Sequence, residues 1–143
     1  MKRNTLNIER IFDVELALIW QCWSDPEFIK KWYGADPNGT VAIADIDFRE
    51  GGLYTITFTD SDQTVHTGRG KHLNIEPFKN IRLTLEWVNE PGQISELNID
   101  FISLNGKTKM IFTQSGIQHP TIHDYEYGWN NSFNKMEKIF IVK

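Results

Sequence analysis

Apolar residues recur at a helical period near the start of the chain. The run consists of Leu16, Ile19, Trp20 and Trp23. Steps of three and four place these side chains on one face of a helix, and Asp13 is predicted to cap its first turn. Pro26 suits the first turn of a second short helix that continues to Trp32, where Gly34 is available to end it.

A longer helical pattern lies near the carboxyl end. Its apolar residues are Ile122, Tyr125, Trp129, Phe133, Met136 and Phe140. The spacing predicts one amphipathic helix whose apolar stripe needs a covering surface. His119 or Thr121, beside Pro120, is predicted to start this helix.

Between these helical segments the period becomes that of β-strands. Strands are predicted at 6–12, 41–49, 54–59, 64–75, 81–88, 94–104 and 107–114. The apolar parity switches between Val41 and Ile46, which predicts a bulge or a strong bend. Asn105 followed by Gly106 is typical of a tight hairpin turn between the last two strands.

The order of these elements predicts an α+β domain. No helical pattern separates the middle strands, so they are expected to form an antiparallel sheet of neighbouring hairpins. The simplest way to bury the last helix is a curved sheet of about six or seven strands wrapped around it, with two short helices after the first strand. The length of 143 residues and the lack of linkers or repeats predict a single domain over residues 1–143.

Composition and charge exclude several classes of function. The chain is 40% hydrophobic and 24% charged, as in ordinary globular proteins. Its net charge of −4 argues against nucleic acid and anionic membranes as partners. Cys22 is the single cysteine, so an intramolecular disulfide and a multi-cysteine metal site are excluded. No apolar run follows the first ten residues, so neither a signal peptide nor an integral membrane segment is expected, and a cytoplasmic location is predicted.

The aromatic content, 13% of the residues, is the unusual feature of the composition. Aromatic side chains can fill a core, line an apolar ligand pocket or form a partner surface. Trp32 and Tyr33, next to the short helices, are therefore interpreted as exposed aromatics that form either a homodimer contact or a lid over a pocket.

Four segments, taken in order, resemble the START-like, or helix-grip, superfamily. They are Asp25-Pro26-Glu27 with Trp32-Tyr33, then 47–54, then 70–77 leading to Trp87, and finally Gly128-Trp129. Within that superfamily the chain is most similar to the C-terminal domain of activators of heat-shock protein 90 ATPase and to small stand-alone bacterial proteins that share it. The resemblance covers nearly the whole chain.

The resemblance implies a cavity between the sheet and the long helix, where relatives hold sterols, lipids, polyketides or other apolar molecules. It implies no particular reaction, because the superfamily includes carriers, receptors, cyclases, oxygenase domains and co-chaperones. The additional N-terminal domain of the chaperone activators is not found in this chain, which argues against direct chaperone activation.

The apolar stripe of the last helix supplies the first candidate ligand-binding residues, Tyr125, Trp129, Phe133 and Met136. The alternative is that this stripe only packs in the core. Gly128 favours a cavity, because a glycine inside a helix costs about 1 kcal/mol against alanine and is usually retained for close packing or for space. Gly68 and Gly70 share one strand face and leave either a hollow or room for another element.

Three further candidates for ligand binding lie on the sheet: Arg49, Tyr54 and His66. Arg49 has the geometry to hold an acidic ligand head, although a solvated turn, in which Arg49 and Asp47 form a weak exposed pair, is the favoured interpretation. Tyr54 and His66, with Arg69, are polar side chains of the kind that cyclase relatives use to steer substrates, and the sequence does not tell which of them face inward.

No metal, cofactor or catalytic residue is predicted. His66 and His72 share a strand face but lie about 20 Å apart along it. His119 and His123 have the spacing of a helical metal pair, but Pro120 is expected to keep His119 out of the helix. Cys22 lies in an apolar helix, where a thiol is usually inert.

Three functional hypotheses follow. The first is non-catalytic binding of a small apolar or amphipathic molecule between the sheet and the last helix. The second is a co-chaperone or stress-related interaction domain with a chaperone or other protein as its partner. The third is a cyclase-like or hydrolase-like enzyme, for which the sequence offers no defined catalytic set.

Overall fold

Seven strands form one antiparallel sheet in a computed structural model that describes residues 4–117 and 122–140. The strands are β1 (Leu6–Phe12), β2 (Thr40–Ile46), β3 (Leu53–Thr59), β4 (Val65–Glu76), β5 (Asn80–Trp87), β6 (Ile94–Leu104) and β7 (Lys107–Ser115). Their order across the sheet is β1-β7-β6-β5-β4-β3-β2. Consecutive strands from β2 to β7 pair as hairpins, and the first strand joins the last. The predicted α+β fold with a curved antiparallel sheet is confirmed.

The helices occupy the positions that the hydrophobic pattern predicts. They are α1 (Leu16–Ser24), α2 (Pro26–Trp32) and α3 (Ile122–Lys138). The predicted starting residues of α3, His119 and Thr121, lie outside the described residues. On α3 the buried apolar residues face the sheet, and Phe133 packs against Phe112 of β7 at 5.3 Å between ring centroids. The sheet therefore supplies the covering surface that the apolar stripe requires.

The start of α1 differs from the prediction. The helix begins after Glu15, whose side chain makes no capping hydrogen bond, so Asp13 is not the cap. Thr108 on β7 donates from Oγ1 to the carbonyl oxygen of Val14 at 2.8 Å. This bond holds the segment before α1 against the sheet, and the helical turn begins only beyond it.

The second strand of the chain is shorter than predicted. β2 ends at Ile46, because residues 47–52 form turns in which Arg49 N donates to Asp47 O and Gly52 N donates to Arg49 O. The bulge predicted within this segment is present as a register shift between Val41 and Ile43.

Trp32 and Tyr33 are buried, which corrects the interpretation that they are exposed. Their exposed fractions are 1% and 7%. Trp32 donates from Nε1 to the carbonyl oxygen of Cys22 at 2.7 Å, and its ring lies 4.8 Å from that of Trp23. Trp32 is enclosed between α1 and α2, and Tyr33 packs against Phe58 and Trp129. Neither side chain is therefore the exposed aromatic that a dimer contact or a lid requires.

No helix within residues 4–117 and 122–140 is long and apolar enough to cross a membrane. In the same residues, no group of three or more His, Cys, Asp or Glu side chains has an arrangement that could hold a metal ion.

Candidate functional site

A cavity of about 450 Å³ lies between α3 and the sheet. Helix α3 contributes Tyr125, Gly128, Trp129 and Ser132. The segment after α2 contributes Tyr33, Gly34 and Ala35, and strands β3, β4 and β5 contribute Phe58, His66 and Trp87. This volume lies within the range of about 300–1,000 Å³ that is usual for small-molecule sites.

The inner walls of the cavity are largely aromatic. Phe58 packs against Tyr33 at 5.6 Å and against Trp87 at 5.9 Å between ring centroids. The ring of His66 stacks on that of Phe58, with 5.0 Å between the two centroids. Edge-to-face and stacked contacts at these distances stabilise a fixed arrangement of rings. The cavity wall is therefore preorganised.

Two polar contacts bridge the elements around the cavity. Trp87 on β5 donates from Nε1 to the hydroxyl oxygen of Tyr125 on α3 at 2.8 Å. His66 Nε2 lies 2.8 Å from Oδ2 of Asp60, which is in the turn between β3 and β4. These contacts hold the helix and the turn at fixed distances from the sheet.

Tyr33 is a deeply buried polar side chain that lines the cavity. Its exposed fraction is 7%, and burial raises the pKa of its hydroxyl. Within the described part of the chain, that hydroxyl makes no hydrogen bond, although every fully enclosed side-chain nitrogen or oxygen there has a partner. The Tyr33 side chain therefore borders the cavity with a hydroxyl that has no described hydrogen-bond partner.

Two glycines of the site have different explanations. Gly34 has a φ of +108°, and a Cβ there would lie 3.0 Å from Cδ2 of Phe58. A Cβ on Gly128 would lie 3.4 Å from Cβ of Ala35, which is ordinary contact. The first glycine is required by its backbone conformation, whereas the second leaves space in the cavity.

Gly68 and Gly70 do not leave a hollow, which settles the alternative left open by the sequence. Side chains of β5 and β3 cover them: a Cβ on Gly68 would lie 3.2 Å from Cζ3 of Trp87, and one on Gly70 would lie 2.8 Å from Cε1 of Tyr54. The space of the cavity comes instead from the separation between α3 and the sheet at Gly128.

The structure places three of the seven predicted ligand-binding residues on the cavity wall: Tyr125, Trp129 and His66. Phe133 and Met136 are fully buried one and two turns further along α3, where they pack in the core. Phe133 and Met136 therefore lie where the alternative interpretation, packing in the core, placed them.

Tyr54 and Arg49 also lie outside this cavity lining. Tyr54 is 3% exposed and donates its hydroxyl to the carbonyl oxygen of Thr84 at 2.6 Å. Arg49 has a side chain that is 75% exposed and pairs with Asp47 at 2.9 Å. The predicted anchor for an acidic ligand head is therefore not at this cavity, because the turn at 47–52 directs Arg49 to its own neighbour. Ligand binding by each of the seven residues stays a prediction.

Gln114 is a buried residue next to the cavity wall that the sequence patterns did not single out as a candidate. Gln114 on β7 is fully buried, and its Oε1 accepts a hydrogen bond from Nε1 of Trp129 at 2.8 Å. Its Nε2 donates to Oγ of Ser95 at 2.8 Å. The strand parity provides a signal, since Gln114 continues the inward-facing alternation of Met110 and Phe112.

Cys22 supplies no nucleophile to this site. It is fully buried in α1, and burial raises the pKa of its thiol to about 12. The reactive thiolate is therefore scarcely populated at neutral pH.

Solved structures of bacterial proteins share the fold. A protein of Chromobacterium violaceum is 21% identical, with a TM-score of 0.83 over 96% of this chain and 97% of that chain. The AHSA1 protein of Silicibacter pomeroyi is 19% identical, with a TM-score of 0.83 over 94% of this chain and 95% of that chain. An AHSA1-like protein of Aeromonas hydrophila is 20% identical, with a TM-score of 0.78 over 94% and 90%. At these identities the likeness shows the fold alone.

The sequence itself gives the family. No curated protein matches the chain. The family model described as Activator of Hsp90 ATPase homolog 1-like protein matches residues 13–140, which include every element from α1 to α3 and the whole cavity wall. The chain therefore belongs to the family of Activator of Hsp90 ATPase homolog 1-like proteins.

Proposed function

We propose that this protein binds one small apolar or amphipathic molecule in the cavity between α3 and the sheet, without converting it. The observation that carries this proposal is the preorganised cavity of about 450 Å³ with aromatic inner walls. An apolar pocket with a few placed polar groups is the usual form of a small-molecule site.

The rigidity of the wall supports this proposal. Trp129 is held by Gln114, and Tyr125 is held by Trp87, so two cavity residues of α3 are tied to the sheet by hydrogen bonds. A ligand would meet side chains that are already in place, and ordering them on binding would cost little entropy. The Tyr33 hydroxyl offers the ligand a hydrogen bond that the described residues leave unused.

A cavity-filling variant tests the proposal. Gly128→Leu would place an isobutyl group in the cavity, whereas Tyr127→Leu changes the neighbouring position, which is 69% exposed. The first measurement is native mass spectrometry of the mildly purified protein, followed by denaturing extraction. The second is the fluorescence of N-phenyl-1-naphthylamine, a neutral apolar probe, titrated with each variant.

We expect wild type and Tyr127→Leu to bind the probe with the same affinity and Gly128→Leu to bind it at least about tenfold more weakly, since the inserted side chain removes the binding volume. Circular dichroism and thermal unfolding would show that both variants are folded. Equal probe affinities in folded Gly128→Leu and wild type would overturn the proposal, as would a wild type that carries no passenger and binds no probe.

A chaperone interaction is the second candidate, and the family match over residues 13–140 favours it. In this case the protein works through its surface, in the cytoplasm, as part of a stress response, and the cavity is incidental. A pull-down with purified heat-shock protein 90 tests it. Retention that survives Gly128→Leu would support the surface role, and a chaperone that is not retained would remove it.

A further inference from the structure

The charged groups that line the cavity are nearly all acidic. Asp60, Glu90 and Asp124 contribute carboxylates, and His66 is the single basic side chain in the described lining. No Lys or Arg belongs to that lining in the part of the chain that the structure describes. A ligand that enters this cavity therefore meets a negative potential.

Asp60 is the carboxylate whose charge is most nearly balanced. It pairs with His66, and the half-buried Lys135 lies close enough for the charge of Asp60 to act on its ammonium group. The Nζ of Lys135 donates to the carbonyl oxygens of Tyr33 and Asp36, at 3.4 and 3.0 Å. The ammonium group of Lys135 therefore donates to backbone carbonyl oxygens, and Lys135 is not part of the described cavity lining.

Glu90 and Asp124 are the unbalanced carboxylates. Both residues are exposed, one after β5 and the other in the first turn of α3, so they flank the mouth of the cavity. Neither side chain makes an ion pair or hydrogen bond with another described residue. Burial is the main cause that raises the pKa of Tyr125, and the nearby charge of Glu90 raises it further, which places that charge next to the aromatic wall.

Aromatic faces and free carboxylates together suit a cation. Trp87 and Tyr125 lie at the wall beside Glu90, and indole and phenol rings attract a positive charge placed over their faces. An acidic head group would instead face Glu90 and Asp124 with no lining Lys or Arg to compensate.

We infer that the ligand is a cationic amphiphile, with an apolar body between α3 and the sheet and an ammonium-type group at the mouth beside Glu90 and Asp124. This inference rests on the proposed function and specifies its ligand class. It also replaces the acidic head group that the Arg49 hypothesis required.

Three probes with the same tail test the charge preference: decyltrimethylammonium, 1-decanol and decanoate, each used below its aggregation limit. Their affinities are measured by displacement of N-phenyl-1-naphthylamine at pH 7.5 and low ionic strength. We expect the cation to bind about five- to tenfold more tightly than the alcohol, and decanoate to bind more weakly than the alcohol. Added salt should reduce the preference, because the carboxylates at the mouth are exposed.

The double variant Glu90→Gln/Asp124→Asn should abolish the preference for the cation while leaving 1-decanol affinity unchanged. Asp13→Asn/Asp45→Asn is the matched control, since it removes the same net charge at exposed positions outside the cavity lining. It should retain the preference.

The outcomes separate the two proposals. Equal affinity for cation and alcohol, or tightest binding of decanoate, would overturn the inference and leave the cavity as a binding site. The same preference in wild type and Glu90→Gln/Asp124→Asn would also overturn it. Failure of every probe, the neutral dye included, would remove the proposed function and this inference with it.

Discussion

Trp129 Nε1 donates a hydrogen bond to Oε1 of Gln114 at 2.8 Å, and this bond joins the cavity wall to β7, the second strand from one edge of the sheet. Gln114 is fully buried and uses its other polar end on Ser95 of β6. A helix, β7 and β6 are thus connected by two hydrogen bonds in an apolar environment. In such surroundings a buried polar group is stabilising only while every partner is present.

Removing the glutamine amide should therefore destabilise the protein. Gln114→Leu keeps a similar volume but leaves the indole N–H of Trp129 without its acceptor. We expect the free energy of unfolding to fall by about 1–3 kcal/mol, measured by urea denaturation. Gln93→Leu, at an exposed position, is the control and should change it by less than about 0.5 kcal/mol. A Gln114→Leu protein as stable as wild type would show that the bond contributes nothing.

Gly70 and Tyr54 form a second relationship that can be tested. A Cβ on Gly70 would collide with the carbonyl oxygen of Thr84, which accepts the hydroxyl of Tyr54. Gly70→Ala must displace backbone, so we expect a loss of at least about 2 kcal/mol in the free energy of unfolding.

Tyr54→Phe keeps the ring over Gly70 and removes one hydrogen bond, so it should cost about 1 kcal/mol. Chemical denaturation of both variants at one pH gives the comparison. A smaller loss for Gly70→Ala than for Tyr54→Phe would contradict the close approach of the two strands.

Replacing Gly128 by alanine should have the opposite effect on the free energy of unfolding. Gly128 lies inside α3, where alanine is favoured by about 0.5–1 kcal/mol, and the added methyl would only reach ordinary contact with Ala35. We expect Gly128→Ala to raise the free energy of unfolding and to weaken binding of N-phenyl-1-naphthylamine. Thermal unfolding and a probe titration on the same sample check both effects. Increased stability without weaker binding would mean that the glycine is not retained for cavity space.

Protonation of Asp36, in the segment after α2 that also carries Tyr33, should lower the stability of the protein at acid pH. Hydrogen bonds from the Ser61 hydroxyl and backbone, and from the backbone of Asn38, lower the pKa of Asp36 from 3.8 to about 2. A carboxyl with a lowered pKa in the folded state stabilises that state above its unfolded pKa, and this contribution is lost as the pH falls through the folded pKa. We expect wild-type stability to decline between about pH 4 and pH 2 more steeply than that of Asp36→Asn, in denaturant titrations at several pH values. Parallel pH profiles would contradict the contribution of Asp36.

Cys22 should be chemically silent in the folded protein. Full burial and a pKa of about 12 leave the thiol both inaccessible and protonated. At pH 8, an aromatic disulfide reagent should label it only in denaturant, at the rate of an ordinary free thiol. Rapid labelling of the native protein, followed by absorbance, would show that α1 opens or that the thiol is less buried.

The fold was predicted well from the sequence because the spacing of apolar residues and the turn residues specify most helices and strands over short stretches of chain. The helical stripe of α3 and the alternation in β5 and β6 follow directly from residue spacing, and the Asn105-Gly106 turn specifies its own hairpin. The prediction that Asp13 caps α1 was wrong: the helix begins after Glu15. The hydrogen bond from Thr108 to Val14, which holds the preceding segment against the sheet, joins residues too far apart in the chain for local spacing to reveal.

The candidate site could be predicted only in part. Tyr125, Trp129, Phe133 and Met136 share one helical stripe, and nothing in their spacing distinguishes the first two from the last two. The stripe meets tightly packed rings at Phe133, whereas it faces open space at Tyr125 and Gly128. Which residues line the cavity depends on how the sheet curves under the helix.

By itself, the sequence determined the order and type of the secondary-structure elements and the single antiparallel sheet, since periodicity and turn chemistry act between near neighbours. The family followed from the resemblance of its motifs, and the match over residues 13–140 shows it. Only the tertiary structure decided which residues of the α3 stripe line the cavity and which pack in the core. It also decided that Gln114 accepts the hydrogen bond of Trp129, and that Glu90 and Asp124 line the same cavity. Glu90 and Asp124 are far apart in the chain, and the charge of a cavity depends on which distant segments the fold brings together.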